Sequence, residues 1–132
     1  IGVDKEIHIG ETGWASMDNS YYGPDGTRAA DAYIAGLFHA AAREWTRESG
    51  MTCFYFQAFD EPWKSDGTAG SEGHFGLITV DGRVKYALWD LVDAGIFEGL
   101  SRGGQPLVKT HGGDEAVLLE QLRTPVHLKF QP

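Results

Sequence analysis

A single cysteine, Cys53, is all the thiol this chain contains. That excludes an internal disulfide and a thiolate metal cluster. Cys53 itself lies in an apolar run, where a small buried side chain is the plain expectation. Five histidines, His8, His39, His74, His111 and His127, form no closely spaced ligand pair, and Glu72 with His74 is too little for a metal centre. No metal and no other cofactor is expected. A glycine-x-serine-x-glycine elbow for Ser/His/Asp chemistry is missing. The glycine pairs at 103–104 and 112–113 lack the strand, lysine and helix context of a phosphate loop. No apolar run approaches the ~20 residues of a membrane helix, and the first residues show no charged-and-apolar secretion signal, which leaves location open. Positive charge is scarce: 11 Lys and Arg stand against 19 acids, a net charge of −8. Nucleic acid and anionic membrane surfaces are therefore poor partners, and neutral ligands are favoured.

No internal repeat or low-complexity linker interrupts the 132 residues, and 42% hydrophobic content suits one globular domain. The four tryptophans, five tyrosines and seven phenylalanines carry more information, because several cluster beside acids and glycines. Exposed Trp and Tyr offer amphipathic faces on which the C–H faces of sugar rings can stack.

Residues 6–11 alternate, with Ile7, Ile9 and Glu11 on one face and Glu6, His8 and Gly10 on the other. A strand is predicted there, with Glu11 at its end on the side of the isoleucines. The turn formers of 17–27 predict a loop with Tyr21 and Tyr22 at its centre. A helix is predicted from about Arg28 to Ser49, with Ala30, Ile34, Leu37, Ala41 and Trp45 as its apolar stripe. Asp25 or Thr27 would cap it, Gly50 would end it, and Gly36 predicts close packing on a sheet. Residues 52–59, TCFYFQAF, read as a strand buried on both faces. It too ends on acids, Asp60 and Glu61, and opens into a loop holding Trp63, Lys64, Glu72 and His74. Residues 75–80 read as a short strand and 84–93 as a short helix. This alternation predicts an α/β fold with right-handed crossovers and parallel strands. Both long loops leave strand C-termini, where such folds place their sites. In the tail from residue 95, the glycine pairs mark turns, Asp114 can cap a helix through Leu122, and VHLKF reads as a final strand.

Two strands thus deliver carboxylates to one rim. A retaining glycosidase uses such a pair, one carboxylate attacking the anomeric carbon and a second group ~5–5.5 Å away protonating the leaving oxygen. Trp14 and Trp63 would stack on sugar rings, and Lys64 would hold an adjacent carboxylate ionised. Solvated strand-end acids with tryptophans packing the rim account equally well for the spacing alone.

The strings GETGW, FDEPWK and EGHFGL, in that order, resemble glycoside hydrolase family 17 over roughly residues 5–93. The family comprises β-1,3-glucanases and glucan transglycosylases on a (β/α)8 barrel, and the PWK form looks closer to its bacterial members. The resemblance implies the C-terminal portion of a TIM barrel, its last two strand–helix units, plus a short mixed tail. Residues 1–94 would be a partial catalytic region and 95–132 an extension. Glu11, Gly13 and Trp14 match the seventh-strand motif, whose glutamate is the nucleophile. Phe59, Asp60, Glu61 and Lys64 match the eighth, whose Glu and Lys assist without being the acid/base, and Gly76 and Leu77 fit the returning pair. Glu11 would then stand where the barrel interior ends, above Ile7 and Ile9. Trp14, Tyr21, Tyr22, Phe59, Asp60, Trp63 and His74 would bind substrate, a β-glucan oligosaccharide or polysaccharide. An extracellular or periplasmic location is implied.

The family's acid/base follows an asparagine at the fourth strand, and this chain has one asparagine, Asn19, with no Asn-Glu pair. A complete barrel needs about 250 residues. Three outcomes stay open: a piece of a larger enzyme, a barrel completed by an N-terminal half or a second copy, or a glucan-binding remnant. Endo-β-1,4-galactanases carry a similar Glu-Thr-Gly-Trp string, so glucan linkage also stays open.

Overall fold

The computed structural model of the chain describes residues 5–17, 29–65 and 70–122. Strand β1, His8–Thr12, is followed by helix α1, Ala32–Ser49, and by strand β2, Thr52–Tyr55. The two strands pair in parallel, as a strand–helix–strand crossover requires. The expected loop centre at Tyr21 and Tyr22, the caps at Asp25 or Thr27, and the VHLKF strand lie outside the described residues.

Register decides which side chains face where. His8 pairs with Thr52, Ile9 with Cys53 and Thr12 with Tyr55, so the ladder carries an irregularity between Ile9 and Thr12. Residues paired across a sheet share a face. Ile9 and Thr12 therefore both lie on the side of Tyr55, whose ring packs edge-on to His39 of α1 and near Phe38. Simple alternation of Ile7, Ile9 and Glu11 fails here. Ile9 faces the helix and does not fill the barrel interior, while the extra residue leaves Glu11 on the opposite, open face with Phe54. A bulge at a strand end re-aims side chains in this way. Phe54 is 61% exposed, so β2 is buried on one face rather than two. Its apolar composition serves a face that no described residue covers.

Helix α1 starts later than its turn-rich approach predicts. Asp31 is the cap, its Oδ1 accepting from the Ile34 amide at 2.8 Å, a contact worth about 1 kcal/mol. Gly50 ends the helix in the left-handed conformation, φ 67°, which only glycine adopts without penalty. The buried face is Ala35, Gly36 and His39; Leu37 and Trp45 of the expected stripe stand 47% and 46% exposed. Gly36 packs on no sheet. A Cβ there would meet the Tyr86 ring at 2.5 Å, so the glycine admits the 3-10 turn Tyr86–Leu88, where Tyr86 also stacks on Tyr33.

Residues 75–78 run beside 57–60 as strand-like chain. Leu77 N donates to Gln57 O at 2.9 Å, Ile78 N to Ala58 O at 3.0 Å and Asp60 N to Ile78 O at 2.9 Å. Only isolated bridges form, Ile78 to Phe59 and to Val84, because the chain turns at once into β3, Arg83–Val84. The predicted helix 84–93 divides into β3, the 3-10 turn and α2, Trp89–Asp93. Ile78, Val84 and Leu88 form the core, with Phe59, Leu77, Leu91, Phe97 and Leu107 packed on it. In the tail, β4, Ser101–Arg102, and β5, Gln105–Pro106, make a hairpin through Gly103 and Gly104, both at positive φ, the turn such a pair favours. Strand β6, Val108–Lys109, pairs in parallel with β3. Asp114 caps α3, Glu115–Glu120, accepting from the Ala116 amide at 3.0 Å. The helix buries Leu118, and Tyr86 donates to Glu115 at 2.9 Å; burial, with that hydrogen bond and the Glu115 charge, pushes the phenol up to about 12.

Candidate active site

Two strand ends come together through glycines. A Cβ on Gly13 would run into the Phe56 carbonyl and press on the Phe75 ring. Only glycine lets the chain at the end of β1, two residues beyond exposed Glu11, lie against the backbone that follows β2. Gly76 does the same from the other side. A Cβ there would overlap the backbone at Phe59 and Asp60, and its amide donates to Asp60 Oδ1 at 3.0 Å.

The loop after β2 folds on itself. Glu61 N donates to Gly73 O at 3.0 Å and Lys64 N to Glu61 O at 2.9 Å, closing the 3-10 turn Pro62–Lys64. Lys64 Nζ pairs with Glu61 Oε2, the adjacent carboxylate it is expected to hold ionised, and lies 4.9 Å from the centre of the Phe56 ring. The hydrogen bond from Lys64 lowers the Glu61 pKa, with help from Gln57. Trp63, between them, is 71% exposed, a large aromatic face kept in water.

Asp60 has another role. It is 5% exposed and faces Lys85, itself 7% exposed, at 2.6 Å. Lys85 Nζ also donates to Ser16 Oγ at 2.7 Å and to the His74 carbonyl at 3.4 Å. Burial pushes the Lys85 pKa down, opposed by the Asp60 carboxylate. His74 Nδ1 lies 3.7 Å from Asp60 Oδ2. A pocket of about 370 Å3 opens beside this group, lined by Ser16, Asp60, His74 and Lys85 and, from the tail, by Thr110 and His111.

The structure therefore brings Glu61, Lys64 and Trp63 together at the rim, with Glu11 at the end of the adjoining strand. Trp14 is drawn toward α1, its Nε1 donating to Ala29 O at 3.0 Å and its ring 5.3 Å from that of Phe38. Phe59 packs on the core with the Arg102 guanidinium 3.9 Å above its ring, and Asp60 spends its carboxylate on Lys85 and Gly76. Tyr21 and Tyr22 lie outside the described residues. Lys85 and Ser16 were not legible from the motifs, because their partners are distant in sequence. The VKY string shows only a basic residue near the start of the predicted 84–93 helix. Among the described residues, no group of three His, Cys, Asp or Glu side chains could hold a metal ion.

The parallel β1–α1–β2 unit is the repeating unit of a (β/α)8 barrel, and together with the likeness to a solved barrel structure it makes this chain the C-terminal portion of such a barrel, two strand–helix units and a mixed tail. Within that class the chain belongs to glycosyl hydrolases family 17, whose family model matches residues 2–89. It is 38% identical over 93 residues to a glucan 1,3-beta-glucosidase of Arthroderma benhamiae, covering 64% of this chain and 28% of that protein. A glucan 1,3-beta-glucosidase of Candida albicans is 39% identical over 91 residues, covering 65% and 27%. The crystal structure of an endo-laminarinase from Formosa Hel1_33_131 superposes with a TM-score of 0.87 at 54% identity, covering 98% of this chain and 34% of that one. The chain thus spans about a quarter to a third of the length of these relatives.

Proposed function

We propose that this chain supplies the nucleophile side of a retaining β-1,3-glucan hydrolase or transglycosylase, with Glu11 as the nucleophile. The observation that carries the reading is the glycine-enforced approach of the two strand ends, with the carboxylate of Glu11 free on the open face. A Glu11 oxygen would attack the anomeric carbon as the glycosidic bond breaks, forming a glycosyl-enzyme ester. Water or an acceptor hydroxyl would then displace Glu11. The departing oxygen needs a proton, and Glu61 is a poor source, because its hydrogen bond with Lys64 favours the carboxylate. Glu61 and Lys64 instead form a fixed polar wall, and exposed Trp63 is the stacking platform. The general acid, worth ~10²–10⁴-fold in rate, would come from a barrel segment outside these 132 residues.

Product analysis with β-1,3-gluco-oligosaccharides tests this. The chain combined with the remainder of a family barrel should cleave or transfer, and Glu11→Gln should abolish both. Product that survives Glu11→Gln overturns the assignment. Retained binding without turnover in the complete barrel would favour a glucan-binding protein.

A further inference from the structure

We propose that Lys85 is a positioning residue that straps the loop after β1 to the loop after β2, so that the Glu11 and Glu61 sides of the cleft keep one geometry. The inference rests on the functional reading above for its purpose, though not for its geometry. Lys85 comes from neither loop; it follows β3. Its ammonium reaches Ser16 Oγ at 2.7 Å on the first loop and Asp60 Oδ1 at 2.6 Å on the second, with the His74 carbonyl at 3.4 Å. These acceptors match the three donors of an ammonium group.

The acceptors are themselves tied across the gap. Ser16 donates to the His74 carbonyl from its amide at 2.9 Å and from its hydroxyl at 3.0 Å. Asp60 Oδ1 receives the Gly76 amide at 3.0 Å. Charge balance for a buried carboxylate needs one cation. It does not need a hydroxyl from a second loop on that same cation. Asp60 immediately precedes Glu61, and Ser16 follows Trp14 by two positions, so slack in the strap is passed directly to the proposed site.

Two variants separate positioning from charge balance. The double substitution Lys85→Met with Asp60→Asn removes both charges together, leaving no lone buried ion. Ser16→Ala removes only the hydroxyl that crosses between loops. Amide hydrogen exchange at Ser16, Glu61 and Gly76 reads the loops without ligand, and tryptophan fluorescence titration with laminarihexaose reads the site. Each variant is expected to melt close to the unsubstituted protein, to lose about tenfold in amide protection on both loops and to bind laminarihexaose about tenfold more weakly. Protection and affinity unchanged in Ser16→Ala and in the double variant overturn the strap. If the double variant does not fold, Ser16→Ala decides alone. If the unsubstituted protein does not bind laminarihexaose, the functional reading fails while the exchange data still decide the strap.

Discussion

In the β1–α1–β2 unit the large apolar side chains look outward: Ile7 is 66%, Phe54 61%, Leu37 47% and Trp45 46% exposed. From Leu77 to Leu107 a cluster of such residues turns inward, with Val84 at 0%, Ile78 at 7% and Leu88 at 8%, closed over by Phe97 and Leu107, while Val80, Ile96 and Leu100 stay at its exposed edge. Composition does not separate the two regions; partners do. A barrel strand and its helix are built to be covered by neighbouring strands and helices, whereas the short elements after residue 77 cover one another. Stability and the proposed chemistry therefore sit in different places, the first in the 77–107 core and the second on the open strand ends.

Substitutions can break or sharpen that contrast. Ile78→Ala, in the closed core, should cost about 2–5 kcal/mol, read as a fall in the denaturant midpoint. Gly13→Ala should cost about 1–3 kcal/mol from the forced clash with the Phe56 carbonyl, and should weaken laminarihexaose binding as the strand ends part. Asp31→Ala removes the α1 cap and should cost about 1 kcal/mol, visible in thermal unfolding followed by circular dichroism.

A pH dependence comes next. Burial and the nearby Arg43 hold the His39 pKa below its ordinary value of 6.5, opposed by its hydrogen bond to Ala87. The unfolded chain takes up this proton near 6.5, and the folded chain only at lower pH. The stability His39 contributes is therefore full above 6.5 and is lost as the pH falls below it. Melting midpoints measured downward from neutral pH should fall in that window, and His39→Gln should flatten the slope. The smallest effect belongs to the open face: Phe54→Thr should change stability by less than about 0.5 kcal/mol. A larger loss in the same assay would mean that Phe54 already has a partner in this chain.

The sequence made legible what is local. The Gly50 stop of α1, the Asp114 cap and the Gly103–Gly104 turn each depend on a few consecutive residues, and each stands where its chemistry predicts. The strand expected over 52–59 stops at Tyr55, so Asp60 and Glu61 lie in the segment beyond it. The Asp31 start is hidden because its turn-rich approach offers several plausible caps, Asp25 and Thr27 among them. Pattern alone also cannot register a bulge. One extra residue between Ile9 and Thr12 sets Glu11 on the face opposite Ile9, and nothing in the string EIHIGET marks it. At the site, the Glu61–Lys64 pair lies within one short motif, while the Lys85–Asp60–Ser16 group spans separations that only the folded chain brings together. Phe59 and Asp60 share a motif with Glu61, yet the chain uses the first to close the core and the second to anchor the loops.

Cys53 gives this architecture a built-in clock. It is the sole thiol of the chain, half-buried in β2 opposite Ile9, in a hollow it shares with Ala40 and Thr46 of α1. A thiol reagent reaches it more slowly the more tightly helix and strand are closed, so its labelling rate times the breathing of the first unit. A sugar bridging the two loops at the far end of the strands would slow that clock without coming near the sulfur.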